Sequence, residues 1–256
     1  GLRENMVPQD ATAVVESANL AELVVDFESF LLEHQLGGQV QLQGNQATFS
    51  LIGKAAHGST PSKGVNAATF LAKYLHRFEF DQAGAESFLH LLADHLHQDF
   101  EGVNLGVAHR DPVMQKLTMN VGLVNYRDDK GGNIVANFRY PKGTDPEKMA
   151  AQTAQRLAGH DLSVEWGEFK EPHYVSVDDP MVKELLAVYE EQTGLEGHEM
   201  TIGGGTYGRL MPRGVAYGAL FPDSIDTMHQ ANEFIAIDDL LKATAIYAEA
   251  IYRITR

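Results

Sequence analysis

Two periodicities alternate along this chain, and their order narrows the fold more than any other feature. Across residues 19–34 the apolar positions Leu20, Leu23, Val24, Phe27, Phe30 and Leu31 recur at helical spacing. Asn19 stands where an N-cap belongs, and Gly37-Gly38 stand where the helix should stop. The period then drops to two, with Val40 and Leu42 before Gly44-Asn45 and Ala47, Phe49 and Leu51 after it. That pattern predicts a hairpin. Residues 64–78 and 83–100 are again helical in spacing. Residues 117–126 and 133–140 predict strands joined by the turn Asp128-Asp129-Lys130-Gly131-Gly132. A helix at 145–157 and a strand at 162–169 follow. With the N-terminal segment as the first strand, the pattern is an α+β layout, antiparallel sheets with helices segregated to one face. It falls into two loosely similar halves, with a break near 100–103.

Residues 171–179 read as a connector to a second style of sequence. It comprises a helix at 180–192, a glycine-rich loop at 203–208, an apolar strand at 215–220, a loop ending at His229 and a helix at 237–254. Two helices with so few strands amount to a slice of an α/β domain. This tail is expected to expose a sheet edge and apolar helix faces.

Composition removes several classes of function. The chain has 256 residues, enough for two domains, and a net charge of −15 from 20 basic and 35 acidic side chains. Such a surface repels nucleic acid and anionic lipid, so neither is expected as a partner. No apolar run approaches the roughly 20 residues of a membrane span, and residues 1–10 carry no signal-peptide pattern. With no cysteine, disulfide scaffolds, thiolate metal sites and cysteine nucleophiles are excluded. A cytoplasmic location is the expectation.

Polar residues at predicted loops and element ends are the candidates for chemistry. Asn5 lies in Gly-Leu-Arg-Glu-Asn-Met-Val-Pro, and His57 lies among Gly53, Gly58 and Pro61. His57 has two open readings: a surface loop histidine, or a donor to a developing oxyanion or a metal ligand. Arg139 sits on the strand face opposite Ile134, Ala136 and Phe138. It is either a solvated charge or a forked donor for a carboxylate or tetrahedral oxyanion. The loop Gly203-Gly204-Gly205-Thr206-Tyr207-Gly208-Arg209 exposes backbone N–H groups beside an arginine and suits an anionic substrate end. It also spells G-x-G-x-x-G, but Met211-Pro212 breaks the helix a nucleotide site needs. His229 is a loop histidine with two readings, metal-free or a zinc ligand; one histidine does not make a zinc site. His97-x-Asp99 and the Asp128-Asp129 pair imitate metal motifs. The first falls in a helical pattern, where positions two apart do not face each other, and the second is a hairpin turn. Glu184, Glu190 and Glu191 read as a solvated helix face.

The run Gly53-Lys54-Ala55-Ala56-His57-Gly58-Ser59-Thr60-Pro61-Ser62-Lys63-Gly64-Val65-Asn66-Ala67 resembles the lid signature of the co-catalytic zinc exopeptidases. That clan includes aminoacylase, carnosinase and the PepV-type dipeptidases. Residues 1–8, Asn137-Phe138-Arg139-Tyr140-Pro141, Ile202 to Arg209 and Met228-His229-Gln230-Ala231-Asn232-Glu233 resemble further PepV-type segments, in order along the whole chain. The resemblance implies a doubled ferredoxin-like lid at 1–177, two βαββαβ-like halves, and the C-terminal part of a catalytic domain at 178–256. It implies that His229 is a ligand of one zinc of a pair. Asn5 and His57 would hold the scissile carbonyl and the tetrahedral oxyanion. Arg139 and the loop with Gly204, Gly205, Thr206 and Arg209 would hold the substrate carboxylate or the intermediate.

The clan's other motifs, H-x-D, the bridging aspartate, the Glu-Glu pair and a further acidic ligand, belong before the lid and are absent from these residues. The expectation is therefore a fragment of a monomeric zinc dipeptidase acting on short peptides with a free amino end. Two zincs would serve the intact enzyme and none, or one weakly bound, this chain. Alone, without its N-terminal catalytic partner segment, it is expected to be inactive. Two other classes compete: a non-catalytic lid-like binding or assembly module, and a metal-independent hydrolase built on His57, Arg139 and Thr206.

Overall fold

Alternation in the stretch Asp10–Glu16 makes strand β1, which turns Ala11, Ala13 and Val15 inward and its polar residues outward. In the computed structural model, which describes residues 1–218, 220–225, 227 and 232–256, β1 pairs antiparallel with β3 (Gln46–Ile52), and β3 pairs antiparallel with β2 (Gly37–Gln43). The sheet order is β1-β3-β2. The register sets Ala13 opposite Phe49 and Phe49 opposite Val40, so one face is apolar throughout.

Helix α1 (Leu20–Glu33) lays Leu23, Phe27 and Phe30 on that face, and α2 (Ala67–Leu75) is buried along nearly its whole length. The core between them is aromatic. Phe27 lies 5.0 Å edge-on to Phe49 and 4.8 Å from Tyr74, centroid to centroid. The fully buried Tyr74 donates its hydroxyl to the Leu23 carbonyl at 2.6 Å, and burial pushes that phenol well above its usual range.

The ends of these helices depart from the sequence reading in instructive ways. Asn19 precedes α1 but makes no side-chain cap bond, because its amide donates to Glu22 instead. Gln35, at φ 54°, reverses the chain after α1, while Gly37 and Gly38 already belong to β2. The expected helix at 64–78 shortens to α2, whose cap Asn66 accepts from the amides of Ala68 and Thr69. The expected helix at 83–100 is α3 (Ala83–His90), continued by a π-helical turn, Leu91–Leu96, and it ends there.

Two residue pairs, β4 (Arg110–Asp111) and β5 (Gln115–Lys116), form a small ladder. The long hairpin of β6 (Thr118–Arg127) and β7 (Gly131–Arg139) turns at Asp128-Asp129-Lys130 and carries a bulge between Val121 and Leu123. Helix α4 (Pro146–Arg156) is capped by Asp145, which accepts from the amides of Glu147 and Lys148.

The strand expected at 162–169 does not form. This segment is held by side chains instead: Phe169 stacks on Tyr140 at 4.6 Å and Trp166 lies 5.8 Å from Phe138. The Lys170 amide donates to the Tyr140 hydroxyl.

The chain divides into two units, Gly1–Pro172 and His173–Arg256. The elements above build the first. In the second, α5 (Pro180–Thr193) and α6 (Ile237–Ile254) pack through Leu185, Val188, Ile246 and Ala250. Asp179 caps α5 and is gripped by both Nε and Nη2 of Arg213, at 2.8 and 2.7 Å. Glu184 and Glu191, expected to be merely solvated, are ion-paired to Arg253.

The expected strand at 215–220 is absent among the described residues. Tyr217 instead donates to the Leu185 carbonyl and accepts, through its own carbonyl, from the Tyr247 hydroxyl. A strand needs a neighbour's amides and carbonyls, and this unit has no other strand among the described residues. The large apolar side chains of Leu210, Ile225, Ile237, Leu241 and Ile251 are exposed. Among the described residues, no helix is long and apolar enough to cross a membrane.

Candidate active site

The site residues of the first unit are assembled by the N-terminal segment. Met6 and His57 form an antiparallel bridge. The Val7 amide donates to the Ala56 carbonyl at 2.9 Å, and the Gly58 amide donates to the Asn5 carbonyl at 2.7 Å. These bonds set Asn5 beside His57 although the two are far apart in sequence. The approach is close enough that a Cβ on Gly58 would stand 2.9 Å from the Asn5 carbonyl oxygen, which only glycine permits.

A second anchor comes from β6. The Asn120 side-chain amide donates to the carbonyls of Glu4 and Met6, at 2.8 and 3.0 Å, on either side of Asn5. Gly122, at the bulge, lies directly under Glu4, so any Cβ there would fall on that backbone. In the ladder Asn120 faces Asn137, and Thr118 faces Arg139. Asn5, His57 and Arg139 are thus tied to one framework, the β6–β7 hairpin and the segment lying on it. Arg139 is half-buried, not a freely solvated charge. The oxygens Thr118 Oγ1, Asn120 Oδ1 and Asn137 Oδ1 are buried without a hydrogen-bond partner among the described residues.

The exposed His57 ring has a defined polarity. Its Nδ1 receives the Ser59 amide at 3.3 Å and lies 2.6 Å from the Ser59 hydroxyl. An Nδ1 that accepts leaves the ring hydrogen on Nε2, the nitrogen that can then donate outward.

The second unit carries the other candidates. Gly204 and Gly205 are exposed, Thr206 precedes a single 3₁₀ turn, Tyr207–Leu210, and the exposed Arg209 folds its guanidinium back over Gly205. The loop feeds this short turn and no long helix, in keeping with the rejection of a nucleotide site. His229 lies outside the described residues.

The imitation motif is otherwise employed. His97 and Asp99 lie beyond the end of the helical segment, not within it. His97 Nδ1 is 3.2 Å from the Thr69 hydroxyl and its ring meets Phe70 edge-on. Asp99 accepts from the amides of Glu101, Val103 and Asn104 and so closes a loop.

Burial, helped by Lys73 and His34, pushes His97 from 6.5 down to about 4. The unfolded chain therefore takes up a proton in this window that the folded chain refuses. Stability should be intact above pH 6.5 and fall as the pH drops from 6.5 toward 4. With the ring partly exposed, the loss should be about 1–2 kcal/mol. Urea unfolding at pH 7 and 4.5 checks this, and His97→Gln should remove that share of the acid sensitivity.

Sequence reasoning missed one cluster. His90, His95 and His160 bring one ring nitrogen each to within 4.8 Å of the others. Burial, then His160 and His90, hold His95 below its ordinary range. Residues five apart diverge by about 140° on an α-helix. Only the π-helical turn, with its five-residue bond spacing, stacks His90 and His95, and no pattern in the letters announces such a turn.

The sequence profile of the peptidase family M20/M25/M40 matches residues 14–253. The chain is 44% identical over 257 aligned positions to the beta-Ala-Xaa dipeptidase of Lactobacillus delbrueckii subsp. lactis, covering 100% of this chain and 54% of that protein. It is 38% identical to the Bacillus subtilis (strain 168) protein named "Putative dipeptidase YtjP", again covering 100% of this chain and 54% of the relative. The chain thus spans about half the length of the curated relatives it matches. With a family profile running over nearly all of its residues and similarity to these dipeptidases from end to end, the chain belongs to peptidase family M20/M25/M40.

Proposed function

We propose that these residues form the lid and substrate-binding half of a zinc-dependent, cytoplasmic and monomeric dipeptidase acting on short peptides with a free amino end. The observation that carries this reading is the pairing of residues 5–7 with 56–58, anchored by Asn120 to the hairpin that ends in Arg139. The similarity to a beta-Ala-Xaa dipeptidase supports the substrate class. The order β-α-β-β-α of the first five major elements is the one expected of the first half of a lid over residues 1–177. Residues 178–256 would close the catalytic domain.

In this reading His57 Nε2–H and the Asn5 side chain donate to the oxygen of the scissile carbonyl as it gains charge. Donors fixed beforehand cost no reorganisation when that charge develops. Arg139 holds the substrate carboxylate or the tetrahedral oxygen, and Arg209 with the amides of Gly204, Gly205 and Thr206 supplies a second anion seat.

The zinc pair, when bound, supplies an activated water and Lewis acidity. The resemblance assigns only His229 of this chain to it, outside the described residues, whereas each zinc needs three or four protein donors. The donor set is therefore incomplete in these 256 residues. We expect the chain by itself to hydrolyse no dipeptide, even with zinc supplied. The test is a dipeptide assay on the chain alone and on a chimera that joins it to the N-terminal remainder of the Lactobacillus relative. An inactive chain and a chelator-sensitive chimera support the reading. Chelator-sensitive turnover by the chain alone would overturn the division of the site, and a folded, zinc-loaded but inactive chimera would overturn the substrate reading.

A further inference from the structure

We propose that His90, His95 and His160 form a binding site for one divalent ion of the nitrogen-preferring late transition metals, with zinc the physiological representative. None of the three has a role in the dipeptidase reading above, and the site does not depend on it.

The three ring nitrogens lie within 4.8 Å of one another. The ring centroids are 5.9 Å apart for His90 and His95, and 5.2 Å from each of these to His160. Small side-chain rotations suffice to bring such rings onto one ion. The donors come from two elements whose positions are independently secured. The π-helical turn between His90 and His95 buries Leu91, Leu92, Ala93 and Leu96 in the main core. His160 follows α4, which buries Met149 and Thr153, and its amide donates to the buried Leu157 carbonyl. A site whose donors are fixed before the ion arrives loses little freedom on binding.

A π-helical turn is an uncommon device, frequent at functional sites. Here its effect is to align two imidazoles that a regular helix would set apart.

Charge around the cluster is mixed, so the imidazole donors and not the local field carry the selectivity. The Asp94 carboxylate lies 3.4 Å from Nε2 of His90 and 3.4 Å from Nε2 of His76, so a fourth imidazole and one negative charge border the site. Lys73 shares that carboxylate, and the Arg156 charge is felt at His95, both acting against the cation. Imidazole donors select the class of ion: calcium and magnesium want oxygen ligands, whereas zinc, cobalt, nickel and copper accept nitrogen. Three protein donors on zinc leave a fourth position open to water.

The test is titration of the chelator-stripped chain with cobalt followed by visible absorption, and with zinc by calorimetry. The expected result is one ion per chain at micromolar affinity. His95→Gln and His160→Gln should each weaken it by roughly tenfold or more, whereas substitution of the exposed His198, His198→Gln, should leave it unchanged. In the unsubstituted chain, zinc should shift the imidazole nitrogen resonances of His90, His95 and His160 most, with a smaller change at the neighbouring His76, which keeps the test valid if a variant misfolds. Absence of saturable binding, retention of affinity in both the His95 and His160 variants, or loss confined to His198→Gln would overturn the proposal.

Discussion

Replacing His57 by alanine in a complete enzyme carrying these residues is expected to lower kcat roughly 10²–10³-fold, about 3–4 kcal/mol of barrier, with KM little changed. The reason is geometric. Ser59 occupies Nδ1 through both its amide and its hydroxyl and so assigns the proton to Nε2 of an exposed ring. A donor that matters only once the carbonyl oxygen becomes an anion should move kcat and kcat/KM together. His57→Gln keeps an N–H donor and should recover part of the loss. Ser59→Ala should cost only a few-fold, since the Ser59 amide still points at Nδ1. Steady-state kinetics on the three variants in the chimera check this. A rise in KM with kcat intact would assign His57 to ground-state substrate binding and remove it from the oxyanion role.

The second large effect is on stability. Phe27→Ala is expected to destabilise the first unit by about 3–5 kcal/mol, because Phe27 is fully buried and touches both Phe49 and Tyr74. Tyr74→Phe should cost less, about 1–3 kcal/mol. It keeps the ring and its packing and leaves only the Leu23 carbonyl without its donor. The chain has a single tryptophan, Trp166, which lies in the first unit. Urea unfolding followed by its fluorescence therefore reads that unit alone. Equal effects of the two substitutions would show that the hydroxyl, not the ring packing, holds α1 to α2.

The candidate residues could be nominated from the letters because they sit in glycine-flanked loops and at strand ends. Their assembly could not. Asn5 meets His57 because Gly58 lets two backbones approach and because Asn120, a residue with no distinguishing pattern, reaches two carbonyls of the N-terminal segment. The histidine cluster was hidden for a related reason. The spacing of His90 and His95 suggests divergence, and His160 comes from another element.

Local chemistry determined a good deal. The helices at α1, α2, α4, α5 and α6 follow from apolar spacing. The hairpins at Gly44-Asn45 and Asp128–Lys130 follow from turn residues, since both signals act within a few neighbouring positions. The tertiary structure decided the remainder. Residues 162–169 have strand-like letters but are held by Phe169 on Tyr140 and Trp166 on Phe138. Residues 215–220 are apolar enough for a strand, yet Tyr217 gives its hydroxyl to the Leu185 carbonyl of α5 and accepts at its carbonyl from Tyr247 of α6. A strand exists only where another backbone lies alongside to complete its hydrogen bonds, and that neighbour is a property of the folded chain, not of the segment.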